Sequence, residues 1–401
     1  MADKIRVLSL FSGCGGMDLG LEGGFLAPAK SFGAGEEVIV DSDCPAGFVR
    51  VPKSRFETVF ANDILKDAQT AWVNYFQCFY PDAAERYHLE SIVDLCRRHQ
   101  SGEHVFPDNI DVVTGGFPCQ DFSTAGKRRG FNSHKNDRGT LRDVATEESR
   151  GRLYMWMKQV IDIVRPKLFI AENVKGLVSL GDALDIIRND FASSGYIVVE
   201  PRILNAWDYG VPESRERVIF IGVRRDALKI DEQQLPNLYL RQTHAMGFLA
   251  LSTGLPQIVT CKDVLSHLRE PDVETDDLSQ MCYSTARYLG RGIQGQTEIH
   301  WDGLGPTIRS EHHGNIEYRR LSAEHGGVMS DELAAGLKER RLTPRECALI
   351  QTFPPDYEFV MNRDGQKLSQ SGAYRIIGNA VPPVLAYKIG RHISTLWDVL
   401  F

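Results

Sequence analysis

Short apolar runs recur through the first two hundred or so residues, each ending in a polar or glycine-rich turn. Ile5–Phe11 (IRVLSLF) reads as a buried strand, followed by Thr58–Asp63 (TVFAND), Asp111–Gly116 (DVVTGG), Lys167–Val174 (KLFIAENV) and Val218–Arg224 (VIFIGVR). Between them the period lengthens to that of an amphipathic helix, as in Leu153–Val164 (LYMWMKQVIDIV). Strands alternating with helices predict an α/β fold: a parallel sheet covered by helices on both faces. Such a sheet binds ligands beyond the carboxyl ends of its strands.

Two stretches break this rhythm. Residues 27–56 are rich in Pro, Gly and charge and read as an insertion; residues 125–150 are polar, basic at the front and too long for an ordinary connection. From about residue 227 to 340 the alternation stops. It returns at Leu342–Ile350 (LTPRECALI), where Thr343, Pro344 and Glu346 form a helix start: cap, first-turn proline and capping-box acid. Val384–Leu400 reads as a last amphipathic helix. The chain thus divides into 1–226, an irregular 227–340, and a 341–401 segment that resumes the first pattern.

Composition changes this picture little. The 401 residues are 42% hydrophobic and 25% charged, enough for a large core. The net charge of -7 and a pI near 5.9 weigh mildly against a nucleic-acid partner, leaving open a basic face on an acidic body. Eight scattered cysteines form no Cys-x-x-Cys pair, so neither a zinc spacing nor a disulfide framework is expected. The N-terminus lacks the pattern of a signal peptide, and no apolar run is long enough to cross a membrane, so a cytoplasmic protein is expected.

The candidate chemistry sits at the predicted strand ends. Phe11–Gly16 (FSGCGG) follows the first strand; glycines allow close backbone approach to a nucleotide-like ligand, although a structural tight turn has the same signature. Asp63 closes the next strand and suits ribose hydroxyls or an ordinary helix cap. Gly115–Ser123 (GGFPCQDFS) puts Cys119 at a polar turn rather than in an apolar element, which favours a nucleophile over a buried filler. Glu172 ends another strand, where a half-buried carboxyl serves as proton donor or as a cap. Arg215 and Arg217, two apart at a strand start, are expected to share one face and to suit a polar ring oxygen or a phosphate; a solvated strand end is the commoner outcome. Tyr374–Pro383 (YRIIGNAVPP) is a turn signal with no local functional meaning.

Together and in this order, FSGCGG, FPCQ, ENV, RERV, RRLTPRE and GNAVPP resemble the motifs of the cytosine carbon-5 DNA methyltransferases. The resemblance runs from Leu8 to the C-terminal helix, except for 227–340. It implies a Rossmann-like S-adenosylmethionine-dependent sheet in 1–226, a smaller irregular target-recognition domain in 227–340, and a return to the catalytic domain in 341–401. It implies that Cys119 attacks carbon-6 of a flipped cytosine in double-stranded DNA, that Glu172 protonates ring nitrogen-3, and that Arg217, with Arg215 beside it, serves the carbonyl oxygen. S-adenosylmethionine, leaving as S-adenosylhomocysteine, would lie on Phe11, Ser12, Gly13, Cys14, Gly15 and Gly16, with Asp63 at its ribose and Ile64 beside it. Pro118, Leu153, Asn379 and Val381 would close that pocket. Three positions depart from the family pattern. Ile64 replaces an aromatic, Glu213 replaces the usual glutamine, and Ser91 or Glu90 stands where an aspartate normally meets the adenine.

For DNA, the expected contacts are Gln120, Ser123, Lys127, Arg128 and Arg129 after the cysteine, the last three gripping phosphates. In the 227–340 region they are Arg287, Arg291, Arg309, His312, His313, Arg319 and Arg320, with acidic residues interleaved. A monomer without a metal is expected, nucleoid-associated in a bacterium and paired with a separately acting restriction endonuclease or working alone. Three alternatives stay open: an RNA methyltransferase on the same core, a non-catalytic DNA-binding homologue, and a dinucleotide oxidoreductase sharing only the glycine turn.

Overall fold

A computed structural model of the chain describes residues 3–118, 153–180, 182–273, 275–310, 316–363 and 365–401. Cys119, Gln120, Ser123, Lys127, Arg128, Arg129, His312 and His313 lie outside them.

The first part of the chain runs β1 (Ile5–Leu10), α1 (Gly16–Glu22), β2 (Leu26–Pro28), β3 (Phe48–Arg50), β4 (Phe56–Asp63), α2 (Lys66–Phe76), α3 (Ala83–Arg86), β5 (Tyr87–Leu89), α4 (Ile92–Gln100) and β6 (Val112–Gly115). It continues with α5 (Leu153–Val164), β7 (Leu168–Val174), α6 (Ala183–Ala192), β8 (Tyr196–Val198), β9 (Arg202–Asn205) and β10 (Glu216–Arg224). The central sheet has the order β5-β4-β1-β6-β7-β10-β8, with β9 also paired to β10. The strands β5, β4, β1, β6 and β7 are parallel. Because β4 lies on one side of β1 and β6 on the other, the strand order reverses at β1. That reversal opens a crevice at the carboxyl ends.

The predicted strands and helices match closely, and for the expected reason. Leu153, Tyr154, Trp156, Met157, Val160 and Ile161 form the buried face of α5, a 3–4 spacing. They join Leu8, Val113 and Phe169 in one of two cores that sandwich the sheet. Ile5, Val7 and Ile170 belong to the other, with the C-terminal helices.

The expected parallel sheet carries one antiparallel strand, next to its edge. Strand β10 runs antiparallel to β7, β8 and β9. It follows two short strands rather than a helical crossover, so the chain re-enters the sheet from the opposite end. The start of β10 therefore meets the carboxyl end of β7.

Residues 27–56 are more than a loop. The strands β2 and β3 pair as a ribbon, and Phe48 and Val51 belong to the core. Beyond β10 lie α7 (Phe248–Thr253), α8 (Cys261–Leu265), β11 (Tyr318–Arg320), α9 (Ser330–Ala334) and β12 (Arg340–Arg341), with β11 pairing β12. Then come α10 (Pro344–Ile350), β13 (Met361–Arg363), β14 (Gln366–Leu368), α11 (Gln370–Asn379) and α12 (Pro383–Leu400). The α10 cap is the predicted one: Thr343 Oγ1 accepts from the Glu346 amide at 3.0 Å, and Glu346 Oε2 accepts from the Thr343 amide at 2.9 Å. Helix α12 packs on α1 so closely that a Cβ on Gly20 would lie 2.4 Å from that of Ala386. No helix among the described residues is long and apolar enough to cross a membrane.

Candidate active site

A cavity of about 980 Å³ opens at the strand-order reversal. The ends of β1, β4, β6 and β7 line it, together with Arg217 at the start of β10, Pro306–Ser310, and the α11–α12 junction.

Its glycine-turn end is built from β1 outward. Phe11 and Gly13 both have positive φ, 52° and 54°, turning the chain sharply off the strand. A Cβ on Gly13 would meet nothing within 4 Å, so bare backbone faces open space there. Asp63 holds this turn: its Oδ2 accepts from the Gly13 amide and its Oδ1 from the Leu65 amide, both at 3.0 Å. Burial raises the Asp63 carboxyl above its ordinary value, against the opposing pull of those amides. Asp63 is not the helix cap, since Leu65 caps α2; its carboxylate holds the glycine turn and lines the cavity. Below it, Ser12 Oγ donates to Ser9 Oγ at 2.9 Å, and Ser9 Oγ donates to the buried carboxyl of Asp18 at 2.5 Å. Burial pushes Asp18 up to about 6.

Cys14 and Gly15 were expected to touch the ligand and do not line the cavity. The Cys14 thiol is buried and faces the Ile376 carbonyl at 3.4 Å, and burial raises its pKa. A Cβ on Gly15 would collide with Trp72 and Phe76. Both shape the turn from behind, because successive residues of a tight turn cannot all face one side. Phe11, Ser12, Gly13, Gly16, Ile64, Ser91, Pro118, Leu153, Asn379 and Val381 all line the cavity. Of the two alternatives near the adenine position, Ser91 lines it, while the Glu90 carboxylate is bound to Arg98 at 2.6 Å. An aromatic ring, side-chain-free backbone, a carboxyl and a serine in one cavity this size fit an adenosine-type ligand with room for a second group.

The other end carries Glu172 and Arg217. Residues facing each other across a ladder share one sheet face, and so do residues two apart. Arg217 pairs with Val174, so Glu172 is its diagonal neighbour. Arg217 Nε lies 2.8 Å from Glu172 Oε1, with both side chains about nine-tenths buried. Burial raises the Glu172 carboxyl, opposed by the charges of Arg217 and then Arg215. The result is a carboxyl that can hold or give a proton, beside a cation that can carry negative charge on an oxygen.

The end of β6 and the residues after it, up to Pro118, approach this pair. A Cβ on Gly116 would lie 3.1 Å from Glu172 Oε2, and Phe117 and Pro118 line the cavity. Asn173, which sequence reasoning passed over, donates from Nδ2 to the Phe117 carbonyl at 3.2 Å. The signal was present: a buried amide interrupting an apolar strand needs a partner.

Arg215 is corrected. It precedes β10 rather than lying in it, so strand alternation does not place it beside Arg217. Its guanidinium is fully buried and donates to the carbonyls of Ile308, Gly378 and Ala380, and burial lowers its pKa to about 10. Arg319 is also corrected as a DNA contact: it is 5% exposed, lies 3.8 Å over the Trp301 ring and pairs with Glu332 at 2.9 Å. Arg320 is likewise interior, paired with Glu270 and Glu332. The interleaved acids are the partners of these arginines, and in a region poor in regular elements such pairs and stacks supply the packing. Arg309 lines the cavity and pairs with Glu317 at 2.7 Å. Arg287 and Arg291 are exposed.

Residues 5–395 match the family described as C-5 cytosine-specific DNA methylase. The Type II methyltransferase M.BsuRI of Bacillus subtilis is 32% identical, over 99% of this chain and 80% of that protein. M.BspRI of Lysinibacillus sphaericus is 31% identical, over 98% and 82%. Among solved structures, the S. pombe Dnmt2 methyltransferase superposes with a TM-score of 0.56 at 17% identity, covering 98% of this chain and 99% of that one.

Proposed function

The chain belongs to the C-5 cytosine-specific DNA methylases, and from that premise we propose how its residues divide the reaction. It is a sequence-specific DNA cytosine carbon-5 methyltransferase, related to the Type II methyltransferases of bacterial restriction-modification systems. The observation that carries the assignment of roles is the Glu172–Arg217 pair, facing the same cavity as the glycine turn and Pro118.

The family's cofactor is S-adenosylmethionine. Phe11, Gly13, Asp63, Ile64, Ser91, Leu153, Asn379 and Val381 would hold it, and when bound it supplies an electrophilic methyl group. A cytosine inside a duplex is out of reach, so the target base is extruded into the cavity at a cost of a few kcal/mol. The Cys119 thiolate adds to carbon-6. Glu172 hydrogen-bonds and protonates nitrogen-3, which draws electrons from the ring and eases that addition. Arg217 carries the charge on the neighbouring carbonyl oxygen. The addition makes carbon-5 electron-rich enough to accept the methyl group. Loss of the carbon-5 proton to solvent, expulsion of the thiolate and return of the nitrogen-3 proton to Glu172 then restore the ring. Asn173 holds the Phe117 carbonyl, two residues before Cys119 in the chain.

The segment 227–340 reads the target sequence, and 341–401 completes the catalytic domain begun by 1–226. Lys127, Arg128 and Arg129 grip backbone phosphates, and Gln120 and Ser123 face the target strand. The protein works as a cytoplasmic monomer. Bisulfite sequencing of DNA from cells expressing it tests activity and target together. Converted cytosines at every sequence would refute the reading; protection at one short sequence is expected.

A further inference from the structure

The reading above sets the methyl donor against Asn379 and Val381, while Arg309, one of the expected DNA contacts, lines the same cavity within Pro306–Ser310, which makes that stretch the target-strand wall. The Arg215 side chain joins those walls. Arg215 Nη1 donates to the Ile308 carbonyl at 2.8 Å, and Nη2 donates to the carbonyls of Gly378 and Ala380 at 2.9 and 2.7 Å. Ile308 belongs to the Pro306–Ser310 wall; Gly378 and Ala380 flank Asn379 on the cofactor wall. The walls touch: a Cβ on Gly378 would lie 2.1 Å from the carbonyl carbon of Arg309.

Both backbone groups of Ile308 are held from the same turn. Glu213 Oε1 accepts its amide at 2.6 Å while Arg215 donates to its carbonyl. The same turn bridges to Gly305, and the Ser214 amide donates to the Gly305 carbonyl at 2.8 Å. Pro306–Ser310 is therefore positioned by Glu213 and Arg215 rather than by a strand ladder. A planar guanidinium has donors in a fixed fork, so it can span carbonyls of two segments and fix their separation. A lysine ammonium carries its three donors on one freely rotating nitrogen, without that fixed planar fork.

We propose that Arg215 is a positioning residue that couples the target-strand wall of the cavity to its methyl-donor wall, so that seating one ligand tightens the other. The inference rests on the assignment of DNA and S-adenosylmethionine to this cavity. A ligand that settles Pro306–Ser310 favours one placement of Gly378–Ala380 through the shared guanidinium, and linkage makes the effect reciprocal. Glu213 accepts the Ile308 amide and also pairs with Arg215 Nη1 at 3.5 Å, so Glu213→Gln removes the arginine's charge partner while keeping the hydrogen-bond acceptor.

The test is calorimetric titration of the full chain with S-adenosylhomocysteine, with and without a duplex bearing the site mapped by bisulfite sequencing. It compares wild type, Arg215→Met, Arg215→Lys and Glu213→Gln. Wild type should bind S-adenosylhomocysteine about five- to twentyfold tighter with the duplex present. In both Arg215 variants the ratio of the affinities with and without the duplex should collapse to about one. Glu213→Gln, which keeps an acceptor for the Ile308 amide, should retain the ratio. A ratio of one in wild type, or a full ratio in either Arg215 variant, overturns the proposal. If Arg215→Met is unfolded by circular dichroism, Arg215→Lys decides. Wild-type protein that transfers no labelled methyl to DNA counts against the function itself; wild type that methylates but shows no coupling counts against Arg215 alone.

Discussion

Replacing Arg217 by glutamine separates two effects that the geometry ties together. The Arg217 and Glu172 side chains are about nine-tenths buried and 2.8 Å apart at their nearest atoms. With charge centres about 4 Å apart and an effective dielectric near 20, their attraction is about 4 kcal/mol, largely offset by desolvation. Removing one partner strands the other and costs about 3–5 kcal/mol when it stays charged. Glu172 escapes by holding its proton. Burial already raises it, and Arg217 is the first of the influences that oppose burial. Its pKa therefore rises further in the variant. A carboxyl whose folded pKa is raised contributes stability that is complete below its ordinary value and is lost as pH rises through the folded one. The variant should thus be more destabilised at pH 8 than at pH 5.5. In catalysis, losing one donor aimed at developing charge costs about 10²–10³ in kcat. The assay is single-turnover transfer of labelled methyl to duplex DNA across pH. The limb that falls as Glu172 loses its proton should move to higher pH in Arg217→Gln. A rate within about threefold of wild type, with that limb unmoved, would refute a joint role for the pair in the reaction.

Four further outcomes follow from the same geometry. Cys119→Ser should lose at least about 10³ in turnover while binding S-adenosylhomocysteine within about threefold of wild type; near-normal turnover removes the nucleophile from the scheme. Asn173→Ala frees the Phe117 carbonyl and should lower kcat about tenfold for about 1 kcal/mol of stability, measured by steady-state kinetics and urea unfolding. A Cβ at Gly16 would sit 2.1 Å from the Val381 carbonyl oxygen, where only backbone could yield. Gly16→Ala should cost about 1–3 kcal/mol and weaken cofactor binding; an unchanged urea midpoint contradicts that contact. Burial pushes Asp18 up to about 6, so its contribution is full below its ordinary value and is lost as pH rises toward 6 and beyond. Relative to Asp18→Asn, wild type should lose about 1.5 kcal/mol between pH 5 and 8, and parallel urea curves at the two pH values would sink that prediction.

Local pattern alone determined the strands Ile5–Leu10, Phe56–Asp63 and Leu168–Val174, the apolar face of Leu153–Val164 and the Thr343 cap. It also put Phe11, Asp63 and Glu172 at strand ends. Each depends on neighbours a few residues away, where period and capping chemistry are printed in the sequence. What the sequence could not decide is which distant groups meet. Strand β10 runs against β7, and only that direction brings Arg217 diagonally beside Glu172. Arg215, two residues earlier and chemically the same, turns into three carbonyls from residues far along the chain. Arg319 and Arg320 read as basic surface until Glu270, Glu332 and Trp301 close on them. An arginine's charge is written in the chain, but its burial is set by whether the fold delivers an acid, a carbonyl or a ring to meet it.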